Sequence, residues 1–252
     1  GARGNGGAGK SPGRKSIHLA SRGSADASRL SVDVGGGREA QLCSCEHELK
    51  HAVMTVDMSR ARSPHSLRNK IERTLWNGVW LFLYWPSPRP FHAWRRFLLR
   101  LFGADIGQGA RPYPAARIWL PRNLTMGAHS RLSDYVDCYC VDAIYIGANT
   151  VVSSYCYLCA ASHDHTDPHF GLTTSPIHLG EGVWIAADSF VAPGVTVGDG
   201  AVVGARSSVF DDVEAWTIVA GSPAEFIKPR RIDRAQTSQS PDATGHRESA
   251  DA

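Results

Sequence analysis

The stretch IHLGEGVWIAADSFVAPGVTVGDGAVVGARSSVFDDV, residues 177–213, repeats with a period of six. Leu179, Ile185, Val191, Val197, Val203 and Val209 hold that spacing without a break. Each of the first five is followed by glycine or alanine: Gly180, Ala186, Ala192, Gly198 and Gly204. Two places before each aliphatic residue stands a small or apolar one: Ile177, Val183, Ser189, Val195, Ala201 and Ser207. A period of six matches neither a helix nor a simple strand. It fits a solenoid in which each hexapeptide supplies one short strand and one corner. The aliphatic residue is expected to point into the shaft, and the small residue after it to permit the tight turn.

The same register runs upstream. Ile106, Pro112 and Ile118 are followed by Met126, Leu132 and Cys138, then by Ile146, Val152 and Leu158. Within each triplet the step is six; from 118 to 126 and from 138 to 146 it is eight. An insertion that recurs once per three strands marks one corner of a triangular coil. The step from Leu158 to Leu179 is 21, so a loop leaves the coil there, over 159–176. Inserted loops of solenoids often build the binding face. This one begins CAASHDHTDPHF, residues 159–170, and holds His163, His165, His169, Asp164 and Asp167.

The chain has 252 residues, 42% of them apolar, and a net charge of +3, which is too small to argue for nucleic acid. Residues 1–58 are Gly-, Ser- and Arg-rich, as in GARGNGGAGKSPGRKS, and read as a disordered or non-native leader. Met54 and Met58 are candidate native starts, and CSCEH at 43–47 is an incomplete metal set. Residues 59–105 form a helical extension and 106–231 the solenoid, with 232–252 a disordered tail. In the extension, Leu67, Ile71, Leu75 and Val79 recur at helical spacing. PSPRP interrupts, and Phe91, Trp94, Phe97, Leu98 and Leu101 define a second short helix, with Arg95, Arg96 and Arg100 off its apolar stripe. These helices pack on the main domain or a sister subunit. The sharper alternative is peripheral membrane contact through residues 67–101, the aromatics dipping and the arginines meeting anionic lipid. The longest apolar run, at 75–85, is far short of a membrane span. Cys138, Cys140, Cys156 and Cys159 sit in repeat sequence and read as buried thiols in a reducing, cytoplasmic setting.

The hexapeptides, together with the closing VAGSPAEFIKPR, resemble the left-handed β-helix acyltransferases. A narrower resemblance covers LWNGVWLFLYWPSPRPFHAWRRFLLRLFGADIG and LCAASHDHTDPHF. It is to the colanic acid biosynthesis acetyltransferases, relatives of the maltose and galactoside acetyltransferases. The resemblance implies a left-handed β-helix, a homotrimer, and acetyl-CoA as acyl donor in the groove between prisms, with no metal. The acceptor would be a sugar or lipid-linked saccharide hydroxyl in exopolysaccharide biosynthesis. By motif position His163 is the catalytic base and Trp184 lines the donor groove. Ala187 and Ala205 offer backbone amides, while Lys228 and Arg230 lie on the tail that follows coenzyme A. The chain departs from the family at Phe210-Asp211, where Thr-Lys is common, and at Glu225, where a basic residue is common. Both changes remove positive charge.

The chemistry suits these residues. A neutral imidazole can take a proton from an attacking hydroxyl. A fixed backbone N–H can face the oxygen that gains charge in the tetrahedral state. Asp164 is the second candidate catalytic residue, orienting the imidazole or contacting the acceptor, the alternative being a simply solvated carboxylate. His165, Asp167 and His169 are expected to be exposed polar residues. Trp184 alternates with Val183 and Ile185 and should point outward. Two other functions fit a β-helix: a zinc enzyme like the γ-class carbonic anhydrases, its metal held by the loop histidines, or a non-catalytic binding scaffold.

Overall fold

The computed structural model describes Val56, Ser59 and residues 65–232. The leader and the tail, Met54, Met58 and the CSCEH segment otherwise lie outside the described residues.

Short strands come round in threes and stack into three parallel sheets. The first sheet holds β1 (Asp105–Ile106), β4 (Leu124–Met126), β7 (Ile144–Ile146), β12 (Ile177–Leu179) and β15 (Thr196–Val197). The second holds β2 (Arg111–Pro112), β5 (Arg131–Leu132), β8 (Val151–Val152), β13 (Trp184–Ile185), β16 (Val202–Val203) and β18 (Thr217–Ala220). β19 (Glu225–Pro229) closes this second sheet antiparallel to β18. The third holds β3 (Arg117–Ile118), β6 (Asp137–Tyr139), β9 (Tyr157–Cys159), β14 (Phe190–Val191) and β17 (Ser208–Val209). In-register partners such as Met126 with Ile146 and Ile185 with Val203 put like beside like. Every residue of the six-period register from Ile106 to Val209 is buried, and so are Ile177, Val183, Ser189, Val195, Ala201 and Ser207. The core is therefore a shaft filled by two residues of each hexapeptide.

The corners are built differently from the sequence-based expectation. The positive φ falls three residues after the inward aliphatic residue, at His129, Tyr135, Asn149, Tyr155, Asp188 and Arg206. The small residue directly after the aliphatic one answers to stacking. A Cβ on Gly147 would come within 2.3 Å of the Gly180 carbonyl, in the coil above.

The helical extension caps the open end of this shaft. Within the solenoid, each coil's N–H groups donate to carbonyls of the next, as Gly107 N does to Met126 O and Arg131 N to Thr150 O. The first coil has no coil before it, so its outward-facing carbonyls, such as those of Ile106, Ala110, Pro112, Ala116 and Ile118, receive no N–H from a preceding coil. Side chains supply the donors. α1 (Leu67–Val79) runs into a π-helical turn, Trp80–Tyr84, and α2 (His92–Leu101) follows the proline segment. Trp76 Nε1 donates to Ile118 O at 2.7 Å, Trp80 Nε1 to Ala116 O at 2.9 Å, and Tyr84 OH to Tyr113 O at 3.2 Å. Arg95 Nε reaches Pro112 O at 2.8 Å, Arg96 reaches Ala110 O at 2.9 Å, and Arg100 reaches Ile106 O. An unpaired edge is thereby closed.

Two expectations for this region are corrected. Arg95 is fully buried, and its guanidinium also donates to Ser87 Oγ and the carbonyls of Pro88 and Arg89. Arg95, Arg96 and Arg100 thus turn toward the solenoid, because its first coil needs donors more than the surface needs charge. The face that packs is Trp76, Tyr84, Leu98 and Leu99. Most of the stripe read from helical spacing stays exposed, including Leu67, Ile71, Leu75, Phe91, Phe97 and Leu101. Among the described residues no helix is long and apolar enough to cross a membrane. Cys138, Cys140, Cys156 and Cys159 are free and buried.

Candidate active site

The inserted loop is a hairpin. β10 (Ala161–His163) pairs antiparallel with β11 (Leu172–Thr174), and His163 sits opposite Leu172 at the end of the ladder. The imidazole is exposed, and its Nδ1 lies 2.7 Å from the carbonyl oxygen of Phe170. A carbonyl only accepts, so Nδ1 carries the proton and the neutral ring keeps its lone pair on Nε2. That is the tautomer a general base needs.

The orienting contact comes from Phe170 and not from Asp164. Asp164 Oδ1 instead accepts from the backbone N–H and the hydroxyl of Thr166, at 2.8 and 2.6 Å. The Thr166 hydroxyl, and then its amide, hold this carboxyl below its ordinary range. Asp167 shapes the part of the loop that carries Phe170. Its two carboxylate oxygens accept from His169 N and Gly171 N, both at 2.9 Å, and its carbonyl accepts from Phe170 N at 2.9 Å. The Phe170 carbonyl is thus fixed from both sides, with φ +47° at Phe170 itself. Sequence reading missed this contact because a backbone carbonyl leaves no residue signature; the aspartate four residues after His163 was the visible trace.

Trp184 points outward from β13, as alternation required, and is 48% exposed, with Nε1 donating to Ser153 Oγ at 3.0 Å. Ala187 and Ala205 occupy equivalent corners on successive coils, both exposed, and neither amide N–H finds a protein acceptor among the described residues. Register places Trp184, Val202, Ile218 and Lys228 in one row across the outer face of the second sheet. Lys228 is exposed on that row. Arg230 does otherwise: its Nη1 donates to Gly182 O at 2.8 Å and Gly200 O at 2.7 Å, pinning the tail over the corners between the first and second sheets. Phe210 ends an outer ladder of rings, 5.8 Å from Phe190, which is 5.7 Å from Tyr157. Among the described residues no group of three or more His, Cys, Asp or Glu is arranged to hold a metal ion, so the loop histidines form no such cluster. Burial pushes the Cys156 thiol up to about 11, which leaves it un-ionised at neutral pH.

Within one chain, His163 and Trp184 do not face one another. The hairpin leaves between β9 and β12, at the corner joining the third and first sheets. That corner is opposite the second sheet, whose outer face carries Trp184.

The family model described as bacterial transferase hexapeptide (six repeats) matches residues 176–211. The protein of Escherichia coli named "Putative colanic acid biosynthesis acetyltransferase WcaF" is 45% identical over 176 residues, 69% of this chain and 97% of its own. The chain belongs to the hexapeptide-repeat acetyltransferases. The fold of this acetyltransferase is the family's left-handed parallel β-helix. Two solved structures share it. A maltose O-acetyltransferase of Clostridium difficile is 24% identical, with TM-score 0.62, over 71% of this chain and 100% of its own. A hexapeptide-repeat acetyltransferase of Vibrio cholerae, solved with acetyl coenzyme A, is 23% identical, with TM-score 0.61, over 68% of this chain and 93% of its own. At these identities the likeness speaks for the fold.

Proposed function

We propose that this acetyltransferase moves an acetyl group from acetyl-CoA to a sugar hydroxyl, with His163 as general base. The observation that carries the proposal is the Phe170 carbonyl on His163 Nδ1, which leaves Nε2 free to accept a proton. The acceptor oxygen attacks the thioester carbon as Nε2 takes its proton. The new C–O bond forms and the C–S bond breaks. The imidazolium then returns the proton to the departing thiolate. No covalent enzyme intermediate is needed, and the buried thiols offer none. The unpartnered amides of Ala187 and Ala205 are suited to the thioester and the pantetheine arm, with Trp184 walling the groove and Lys228 near the phosphates. Asp164 serves by holding the loop turn. Arg230 serves by holding the tail.

The name of the E. coli relative supports an acceptor belonging to exopolysaccharide biosynthesis. Acetyl-CoA is a cytosolic metabolite, which assigns the reaction to the cytoplasm. Residues 106–231 form the catalytic domain. The opposed positions of His163 and Trp184 support a homotrimer in which the hairpin of one chain meets the second sheet of its neighbour.

His163→Ala is expected to lower acetyl transfer by about 10²–10⁴-fold, the usual share of a general base. Circular dichroism and sedimentation should be unchanged. The assay is a transfer screen with radiolabelled acetyl-CoA against nucleotide sugars and lipid-linked oligosaccharides, and turnover close to wild type would sink the assignment.

A further inference from the structure

The helical cap leaves its most apolar stripe unused. Leu67, Leu75, Phe82, Phe91, Phe97 and Leu101 are each more than half exposed, and they stand on cap elements whose other face is already packed on the first coil. Between the π-helical turn and α2, Phe82, Leu83, Pro86, Phe91 and Trp94 line an open trough. Contiguous apolar surface of this kind marks an interaction site.

Charge says what that site meets. Residues 65–132, the cap and the first coils, carry eleven Lys and Arg against two Asp and Glu. Residues 133–232, the rest of the solenoid, carry four against twelve. The molecule is therefore polarised along its axis, basic at the capped end and acidic at the other. Of the described cations at that basic end, Arg68, Arg89 and Arg122 are the ones paired with carboxylates. Exposed Lys70, Arg111 and Arg131 add to the field, and Arg111 and Arg131 sit directly opposite one another on adjacent strands. An end-to-end second copy would bring two basic ends together. An anionic surface would not.

We propose that the capped end docks on an anionic lipid bilayer, with the aromatic and aliphatic side chains of residues 67–101 entering the headgroup boundary. The arginines that hold the first coil are not the ones that touch lipid. Arg68, Lys70 and the flanking strand arginines supply the attraction, and the exposed rings supply the depth. The proposal is independent of the acetyl-transfer reading, because its readout is binding.

Full-length protein is to be floated on density gradients with vesicles of phosphatidylglycerol and phosphatidylcholine, and with phosphatidylcholine alone. Co-flotation with the anionic vesicles is expected, weakened by raised salt, and little with the neutral ones. Phe82→Ser/Phe91→Ser/Phe97→Ser should lower partitioning by about tenfold or more while its circular dichroism and thermal midpoint stay put. Arg68→Glu/Lys70→Glu, which leaves the rings in place, should lower it too. Protein that stays at the bottom with anionic vesicles at low salt overturns the proposal. So does binding that the triple serine variant leaves intact. Splitting of an oligomer by that variant, seen in sedimentation, would assign the surface to a second copy and overturn it as well.

Discussion

In its proposed role as base, His163 depends on three atoms that are not its own. The Phe170 carbonyl sets its tautomer, and the two oxygens of Asp167 hold the backbone on either side of Phe170. Removing that carboxylate should let the carbonyl drift without moving the donor groove. Asp167→Ala is expected to lower kcat about tenfold or more through a misplaced base while the KM for acetyl-CoA stays near wild type. Asp167→Asn keeps one acceptor oxygen and should recover part of the loss. An unchanged kcat, or a KM that rises instead, would separate Asp167 from the base. The sequence could single out His163 among the loop histidines because the register showed where the loop departs. It demoted Asp167 to solvent, since carboxylates in a polar loop look alike until the backbone they fold around is seen.

At the scale of elements, the solenoid was legible and its cap was half legible. Each inward position meets the same surroundings in every coil, so the same residue type returns every six places and the pattern writes itself. The corners hide, because the left-handed position accepts residues as unlike as Tyr155, Asn149 and Arg206. The cap misled for a different reason. Its strongest apolar stripe is the exposed one, and its buried face is dominated by donors, Trp76, Tyr84 and Arg95, that serve open carbonyls. These donors define the element's stability. Trp76→Phe keeps the ring but orphans the Ile118 carbonyl, and is expected to destabilise by about 1–3 kcal/mol. Arg95→Met strips donors from Pro112, Pro88 and Arg89 at once and should cost roughly 3 kcal/mol or more. Thermal unfolding followed by circular dichroism measures both. A smaller loss for Arg95→Met than for Trp76→Phe would contradict the picture of the cap as a set of donors.

For the molecule as a whole, the decisive geometry is the placement of the two halves of the proposed site on opposite sides of one prism. The hairpin with His163 leaves at the corner that faces away from the sheet carrying Trp184. If each site is completed by a neighbour, damaged chains can repair one another. His163→Ala and Trp184→Ala should each be poorly active alone. Unfolded together and co-refolded into mixed trimers, they should regain activity, because a chain with an intact His163 can face a chain with an intact Trp184. Counting arrangements in a random cyclic trimer, about one quarter of the sites combine both intact halves. Activity is therefore expected to rise toward that fraction of wild type, well above the sum of the two variants assayed separately. Simple mixing of the folded variants, without subunit exchange, should give only the sum. If both residues served a site within one chain, no mixed assembly could hold an intact pair, and co-refolding would restore nothing.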